Sequence, residues 1–167
     1  AIKAIELIAK YLPRAVADGS DKEARNNMAI ANTLAGYYML CTSEHTMEHA
    51  LGSAHPELVH GAGLIMISHE YFDFFAQARC CGGQMAKMAR AMGVEGATGG
   101  ADFIAALDKL IADVNCANLK MSDYGITREE LPGVVKKYHE VWGGNNEADP
   151  VRLTDEDVLG MFERSYR

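Results

Sequence analysis

The 167-residue sequence predicts an all-α fold of about seven or eight helices. Apolar residues recur at spacings of three and four along nearly the whole chain, which is the period of an amphipathic helix. Alanine (24) and methionine (9) are abundant and aromatic residues make up only 8%, a composition that favours helix over strand. No stretch alternates with a period of two for long enough to predict a strand. We therefore expect residues 1–167 to form a single all-α domain.

The first two helices are delimited by a proline and by a capping pattern. Apolar residues predict a first helix over residues 2–12 that stops before Pro13, because a proline inside a helix lacks a backbone donor. Ser20-x-x-Glu23 is a capping-box pattern and predicts the start of the second helix. The inward face of that helix is expected to comprise Ala24, Met28, Ala31, Ala35, Tyr38 and Cys41.

The third and fourth helices follow one another closely. The third is predicted over residues 44–51, and Pro56 is placed as a natural helix start for a fourth, nearly all-apolar helix over residues 57–75. Gly61 and Gly63 lie within this fourth helix, where they predict a close backbone approach to a neighbouring helix or to a ligand.

The second half of the chain contains four further amphipathic segments. They are predicted over residues 84–92, 102–116, 127–141 and 154–166. Capping boxes at Thr127-x-x-Glu130 and Thr154-x-x-Asp157 begin the last two. Two Gly-rich segments are expected to be loops: Gly143-Gly144-Asn145-Asn146 and Gly96-x-x-Gly99-Gly100. No strand precedes the latter, so it is not a phosphate-binding loop.

Charge and cysteine usage exclude several classes of protein. The net charge of −7 leaves no basic surface for nucleic acid or for a membrane. The most apolar segment, residues 58–75, contains two histidines and two acids, which is too polar for a membrane span. The four cysteines lack a C-x-x-C pair and no signal peptide is visible, so we expect four reduced thiols in a cytoplasmic protein.

The histidines are concentrated in one part of the chain. Five of the six lie between positions 45 and 69: His45, His49, His55, His60 and His69. His45 and His49 are four apart and share one face of a helix, and His60 begins the next helix. Imidazole suits Zn²⁺ or Fe²⁺, and neighbouring helices commonly share a metal site. Separate histidines, each satisfied by local hydrogen bonds, are the alternative.

One short pattern predicts a peptidase. His45-Thr46-Met47-Glu48-His49 is H-x-x-E-H, in which two histidines bind zinc and Glu48 acts as the general base. This site requires a further ligand on a later helix. Glu70 and Glu95 are available, although neither lies in a supporting pattern.

A longer set of ordered motifs indicates a different enzyme. Glu44-His45-Thr46-Met47-Glu48-His49-Ala50-Leu51-Gly52 is followed by His60-Gly61-Ala62-Gly63-Leu64 and an apolar helix. Further matches are Tyr71-Phe72, Met88-Ala89-Arg90-Ala91-Met92-Gly93, Leu119-Lys120-Met121-Ser122-Asp123-Tyr124-Gly125-Ile126 and Leu131-Pro132. Over nearly the whole chain these motifs resemble the iron-containing (group III) alcohol dehydrogenases, in particular their butanol-dehydrogenase-like branch.

The resemblance implies a fold, a reaction and a role for each histidine. It implies the all-α C-terminal domain of the dehydroquinate synthase-like fold, which follows a nucleotide-binding domain. It assigns His45 and His60 as two of four metal ligands, with an Asp and a third His completing the set, and it places His49 beside substrate and nicotinamide. The implied reaction interconverts a primary alcohol and its aldehyde by hydride transfer with NAD or NADP, assisted by Fe²⁺ or Zn²⁺.

Two departures from the family pattern carry expectations of their own. His45 and His60 are fifteen residues apart, one more than is usual, which leaves His55 as a weaker candidate ligand. The other two ligands and the nucleotide-binding domain are not among the 167 residues. We therefore expect the metal-site half of a dehydrogenase, inactive alone, whose partners are that missing domain, an alcohol or aldehyde, and possible further copies of the chain. A non-enzymatic helical module is the alternative.

Overall fold

The computed structural model describes residues 1–37, 41–78, 80–141 and 146–167, and within them it confirms the all-α prediction. These residues form eight α-helices and no strand. The helices are α1 (Ile2–Ala17), α2 (Lys22–Gly36), α3 (Ser43–Ala54), α4 (His60–Gln77), α5 (Gly82–Ala91), α6 (Gly100–Asp113), α7 (Leu131–Glu140) and α8 (Asp155–Ser165). No helix in the described ranges has both the length and the apolar character needed to cross a bilayer.

The chain divides into two compact units. This division does not test the expectation of a single domain, which stays a prediction. The first unit comprises Ala1–Met39 and Ala76–Ala117. In it α1 packs along α2, and α5 packs on α1 and α6. Its buried core comprises Leu7, Tyr11, Ala24 and Ala31.

The second unit comprises Leu40–Phe75 and Asn118–Arg167. Helix α7 lies against both α3 and α8. Tyr138 and Phe162 are the largest of its fully buried side chains. Helix α3 and the first part of α4, which carry the clustered histidines, both belong to this unit.

The predicted stop of the first helix before Pro13 is wrong, because α1 continues through the proline to Ala17. The residue after Pro13 explains this continuation. The guanidinium of Arg14 lies 2.8 Å from carboxylate oxygens of both Asp21 and Glu23, and these pairs hold the last turn of α1 against the start of α2.

The predicted capping box at Ser20 and Glu23 is also wrong. Asp21 caps α2, and its Oδ1 accepts a hydrogen bond from the backbone N–H of Ala24 at 3.0 Å. The Ser20 hydroxyl instead donates to Asp18, at 2.6 Å. An Asp in the turn can thus take the capping role, since Asp and Ser are comparable N-cap residues.

Helix α4 begins at His60, later than the predicted start near Pro56. His55 precedes the proline and lies outside the α region, with φ −128° and ψ 79°, as expected for a residue before proline. Residues 55–58 then form a turn in which the N–H of Leu58 donates to the His55 carbonyl at 2.9 Å. A four-residue turn therefore lies between the two histidine-bearing helices.

The two capping boxes predicted late in the chain have different outcomes. At α8 the box forms, since the Asp157 N–H donates to the Thr154 hydroxyl and the Thr154 N–H donates to the Asp157 carboxylate. At residues 127–130 the side-chain cap to the backbone does not form, although the Thr127 hydroxyl donates to Oε2 of Glu130 at 3.3 Å. A 3₁₀ turn over Arg128–Glu130 follows Thr127 and leads into α7 at Leu131, while the other oxygen of Glu130 bonds the His55 ring.

The Gly-rich segments were both expected to be loops. The one before α6 is a loop, and the Asp102 carboxylate accepts the N–H groups of Thr98 and Gly99 at 2.7 and 3.1 Å. The Asp102 side chain thus occupies backbone N–H groups that a bound phosphate would need as donors. The loop predicted at residues 143–146 lies outside the described residues except for its last position, which begins a 3₁₀ turn, and the inward placement of Tyr38 lies outside them as well.

Candidate metal centre

Two successive helices bring three of the five clustered histidines together. His45 and His49 are one turn apart on α3, and His60 is the first residue of α4. One nitrogen from each of the three rings can be chosen so that all lie within 4.8 Å of one another. The Nε2 atoms of His45 and His49 are 2.8 Å apart, and the His60 ring centroid lies 4.9 and 5.2 Å from those of His45 and His49.

The remaining histidines lie outside this group. The His55 ring is hydrogen-bonded to the carboxylate of Glu130, so the structure gives it a partner other than a metal. His139 is hydrogen-bonded to Asp155 at 2.7 Å. His69 lies in the middle of α4 and is not a member of the group.

The three nitrogens fit a divalent cation. Zinc–nitrogen bonds are about 2.0–2.1 Å long. Two ligands of one metal lie at most about 4.2 Å apart at that bond length, so small rotations of the rings complete the approach. Neutral imidazoles suit Zn²⁺ and Fe²⁺ alike.

The electrostatics of the group favour the neutral ligand form. Partial burial, together with the positive charges that His49 and His60 carry when protonated, lowers the pKa of His45 below its usual value. A metal ion competes with protons for imidazole nitrogen. A lowered pKa therefore makes His45 available to a cation at a lower pH than an isolated histidine would be.

A buried acid lies directly against the group. Glu48 is 2% exposed, and its carboxylate is hydrogen-bonded to Nδ1 of His60. A Cβ placed on Gly63 would lie 2.7 Å from Cγ of Glu48, so the predicted close approach at this glycine is confirmed. At Gly61 no described protein atom lies within 4 Å of such a Cβ, so the predicted approach to a neighbouring helix is wrong there, and an approach to a ligand stays a prediction.

A second polar cluster anchors the beginning of α3, next to His45. The Asp149 carboxylate accepts hydrogen bonds from the Tyr71 hydroxyl at 2.7 Å, from the Ser43 N–H at 3.2 Å and from the Ser43 hydroxyl. Burial and the charge of Asp149 raise the pKa of Glu44 to about 8. The Asp149 carboxylate lies at the start of α3, where the partial positive charge of a helix N-terminus stabilises a negative charge. Sequence reasoning did not identify this role of Asp149, because the contact spans 106 positions.

Glu70, one of the two acids available to the peptidase hypothesis, is engaged elsewhere. Oε2 of Glu70 accepts a hydrogen bond from Nε of Arg164 at 2.6 Å. Glu48, which would be the general base of a peptidase, is bonded to His60. These contacts leave the three histidines, without a carboxylate from α4, as the group that could hold a metal ion among the described residues.

An all-α unit whose successive helices converge three imidazoles on one point belongs to the class of helical metal-site domains. Comparison with known proteins defines the family within that class. Residues 1–166 match the model of the Fe-containing alcohol dehydrogenase family, C-terminal, and the chain therefore belongs to this family.

Individual relatives agree with the family match. The chain is 28% identical to a long-chain primary alcohol dehydrogenase of Thermoanaerobacter ethanolicus over 97% of its own length and 42% of the relative's. It is 28% identical to a 1,3-propanediol dehydrogenase of Klebsiella pneumoniae over 99% of its length and 43% of the relative's. The chain thus spans about two fifths of these relatives.

The fold likewise matches solved structures. An archaeal halo-thermophilic alcohol dehydrogenase from a Red Sea brine pool, bound to NZQ, superposes with a TM-score of 0.90 at 28% identity. That match covers 98% of this chain and 43% of the other. The prediction of an iron-containing alcohol dehydrogenase C-terminal domain, made from the ordered motifs, is therefore confirmed.

Proposed function

We propose that this chain is the metal-site half of an NAD(P)-dependent alcohol dehydrogenase that interconverts a primary alcohol and its aldehyde. The observation that supports this proposal most directly is the convergence of His45, His49 and His60 in a chain that matches the family over residues 1–166. The relatives are named for long-chain primary alcohols and for 1,3-propanediol, which is why we propose a primary alcohol as the substrate.

His45 and His60 are the residues that would hold the metal. Fe²⁺ or Zn²⁺ bound there supplies Lewis acidity toward the substrate oxygen. Two imidazoles on different helices orient the ion from two sides, and His45 is partly buried with a lowered pKa, which suits it to remain an unprotonated ligand. The two further ligands, an Asp and a His, are proposed to come from sequence outside these 167 residues.

His49 is proposed as the catalytic residue beside the reacting carbon. It lies one helical turn after His45, on the same face of α3. Its ring stacks on that of His45 with centroids 4.7 Å apart, so a substrate oxygen near the metal site would lie within reach of it. A neutral imidazole in this position can accept the hydroxyl proton of an alcohol and pass it to solvent.

The nucleotide is proposed to bind on the other half of the enzyme. The Gly-rich loop of this chain is closed by Asp102 and offers no phosphate site, so NAD or NADP would be held mainly by a separate nucleotide-binding domain. We accordingly expect the 167-residue chain to be inactive alone. None of the four cysteines forms a disulfide, which fits the cytoplasmic location we propose.

The test separates metal binding from turnover. The chain is expressed together with its nucleotide-binding half, and metal content and NAD(P)H-dependent aldehyde reduction are measured for His45→Ala, His60→Ala and His49→Ala. His139→Ala is the matched control, because His139 pairs with Asp155 outside the group. We expect the first two variants to lose metal, the third to keep metal and lose turnover, and the control to keep both.

The alternatives give different results in the same experiment. Metal retained after both His45→Ala and His60→Ala would refute the ligand assignment, and metal lost from His49→Ala would make this residue a ligand instead of a catalytic group. A two-domain protein that binds metal but reduces no aldehyde would favour a non-enzymatic helical module. Stoichiometric zinc and peptide cleavage by the 167-residue chain alone would favour the peptidase.

A further inference from the structure

Glu48 is a buried carboxylate to which the proposed function assigns no role. It is 2% exposed, while the side chain of its partner His60 is 49% exposed. Burying an ionised carboxylate is costly unless the charge is hydrogen-bonded or paired. The partner that the structure provides is Nδ1 of His60, across the gap between α3 and α4.

Two glycines make room for this carboxylate. A Cβ on Gly63 would lie 2.7 Å from Cγ and 2.8 Å from Oε1 of Glu48, closer than ordinary contacts allow. Gly52, one turn after Glu48 on α3, would place a Cβ at 3.6 Å from Oε1, which is ordinary contact. The Glu48 side chain is therefore enclosed against the backbone of α4, and it has little freedom to leave His60.

The hydrogen bond also determines which nitrogen of His60 is left for a cation. A neutral imidazole carries one N–H and one lone pair, and a carboxylate accepts hydrogen bonds only. With Glu48 ionised and His60 neutral, the bond between them places the proton on Nδ1 and leaves the lone pair on Nε2. The His60 ring faces the rings of His45 and His49 at 4.9 and 5.2 Å between centroids.

We propose that Glu48 is a positioning residue, which holds His60 in the Nδ1–H tautomer and presents Nε2 to the metal. This proposal rests on the proposed function only for the identity of the ion that Nε2 binds. Carboxylates that accept a hydrogen bond from a ligating histidine orient the ring and increase its basicity. Glu48 thus acts through His60 and is not itself a ligand.

The chain contains a matched control for this pair. Glu130 and His55 form a second carboxylate–imidazole pair, also between distant parts of the sequence, and His55 does not belong to the histidine group. Glu130→Gln therefore removes a comparable charge from a comparable pair without touching the proposed site. Glu48→Gln is the test variant because it preserves the volume of the side chain.

Two measurements on the 167-residue chain test the proposal. Nitrogen NMR of the metal-free chain reports the tautomer of His60, and zinc affinity is measured by competition with a chelator. We expect the Nδ1–H form in the unaltered chain. Loss of such a partner typically costs about 10–100-fold in metal affinity, so Glu48→Gln should bind Zn²⁺ more than fivefold more weakly, with Glu130→Gln unchanged.

The result that would overturn the proposal is an Nε2–H tautomer in the unaltered chain, or a Glu48→Gln affinity within fivefold of the unaltered value. The tautomer measurement needs no variant, so it still decides the question if Glu48→Gln does not fold. Zinc binding by the unaltered chain that is too weak to measure agrees with the two ligands that the proposed function places elsewhere, and the tautomer of His60 then decides the role of Glu48. The proposed function fails separately, if the two-domain protein retains no metal.

Discussion

Replacing Gly63 by alanine tests the packing that encloses Glu48. The new Cβ would lie 2.7 Å from Cγ of Glu48, about 0.7 Å inside the ordinary contact limit of 3.4 Å. Overpacking a well-packed site typically costs about 1–3 kcal/mol. Glu48 cannot relieve this overlap by moving into solvent, because it is buried and bonded to His60.

Gly61→Ala is the matched control, since it is the same substitution two residues earlier in α4 with nothing within 4 Å of the new Cβ. Both variants gain roughly 0.5–1 kcal/mol because alanine loses less backbone entropy than glycine in a helix. The difference between them therefore isolates the overlap, about 1–3 kcal/mol. At roughly 2–4 °C per kcal/mol for a chain of this size, Gly63→Ala should melt about 2–12 °C below Gly61→Ala.

The assay is thermal unfolding followed by circular dichroism, with a chelator present so that bound metal does not contribute. Adding Glu48→Ala completes a double-mutant cycle. In that background Gly63→Ala should no longer destabilise, because the atoms it overlaps are gone. Equal melting temperatures for Gly63→Ala and Gly61→Ala would refute the reasoning, as would a Gly63→Ala penalty that persists without the Glu48 side chain.

Three further predictions concern other parts of the chain. Burial and the hydrogen bond that the Cys81 thiol makes to Cys80 raise the pKa of Cys81 to about 11. At about pH 8 iodoacetamide should therefore modify exposed Cys80 first, as mass spectrometry of the peptides would show; equal rates would contradict this. The capping bond from the Ala24 N–H lowers the pKa of Asp21 in the folded protein below its value of 3.8 in the unfolded chain. The charge of Asp21 therefore stabilises the fold above about pH 3.8, and this stabilisation is lost as the pH falls through the lowered pKa. Asp21→Asn should therefore lower the melting temperature at neutral pH and less so in acid. Thr33→Ala, on the same helix, removes a hydroxyl that bonds the Ala29 carbonyl and should show no such pH dependence. Phe162 is fully buried, and Phe162→Ala should cost about 3–5 kcal/mol in denaturant unfolding, a loss under 1 kcal/mol being incompatible with its burial.

The helical architecture was predictable because its signals are local. Apolar periodicity indicated the eight helices, and the Thr154-x-x-Asp157 box gave the start of α8 correctly. The predicted helix boundaries were wrong where residues at the boundary also contact residues distant in the sequence. Glu130 bonds His55 with one oxygen and Thr127 with the other, and beyond Pro13 both Ala15 and Arg14 of α1 contact α2 or the core shared with it.

The prediction of the candidate site likewise succeeded for local features and not for contacts between distant residues. A spacing of four on one helix is enough to align His45 and His49, and the ordered motifs were enough to indicate the family. Only the tertiary structure brings His60 to that pair, turns its Nδ1 toward a buried Glu48 and pairs Asp149 with a serine 106 positions away. The physical reason is that helix periodicity depends on residues close together in the sequence. The approach of two helices depends instead on whether the side chains between them leave room, as the absence of a side chain at Gly63 does for Glu48.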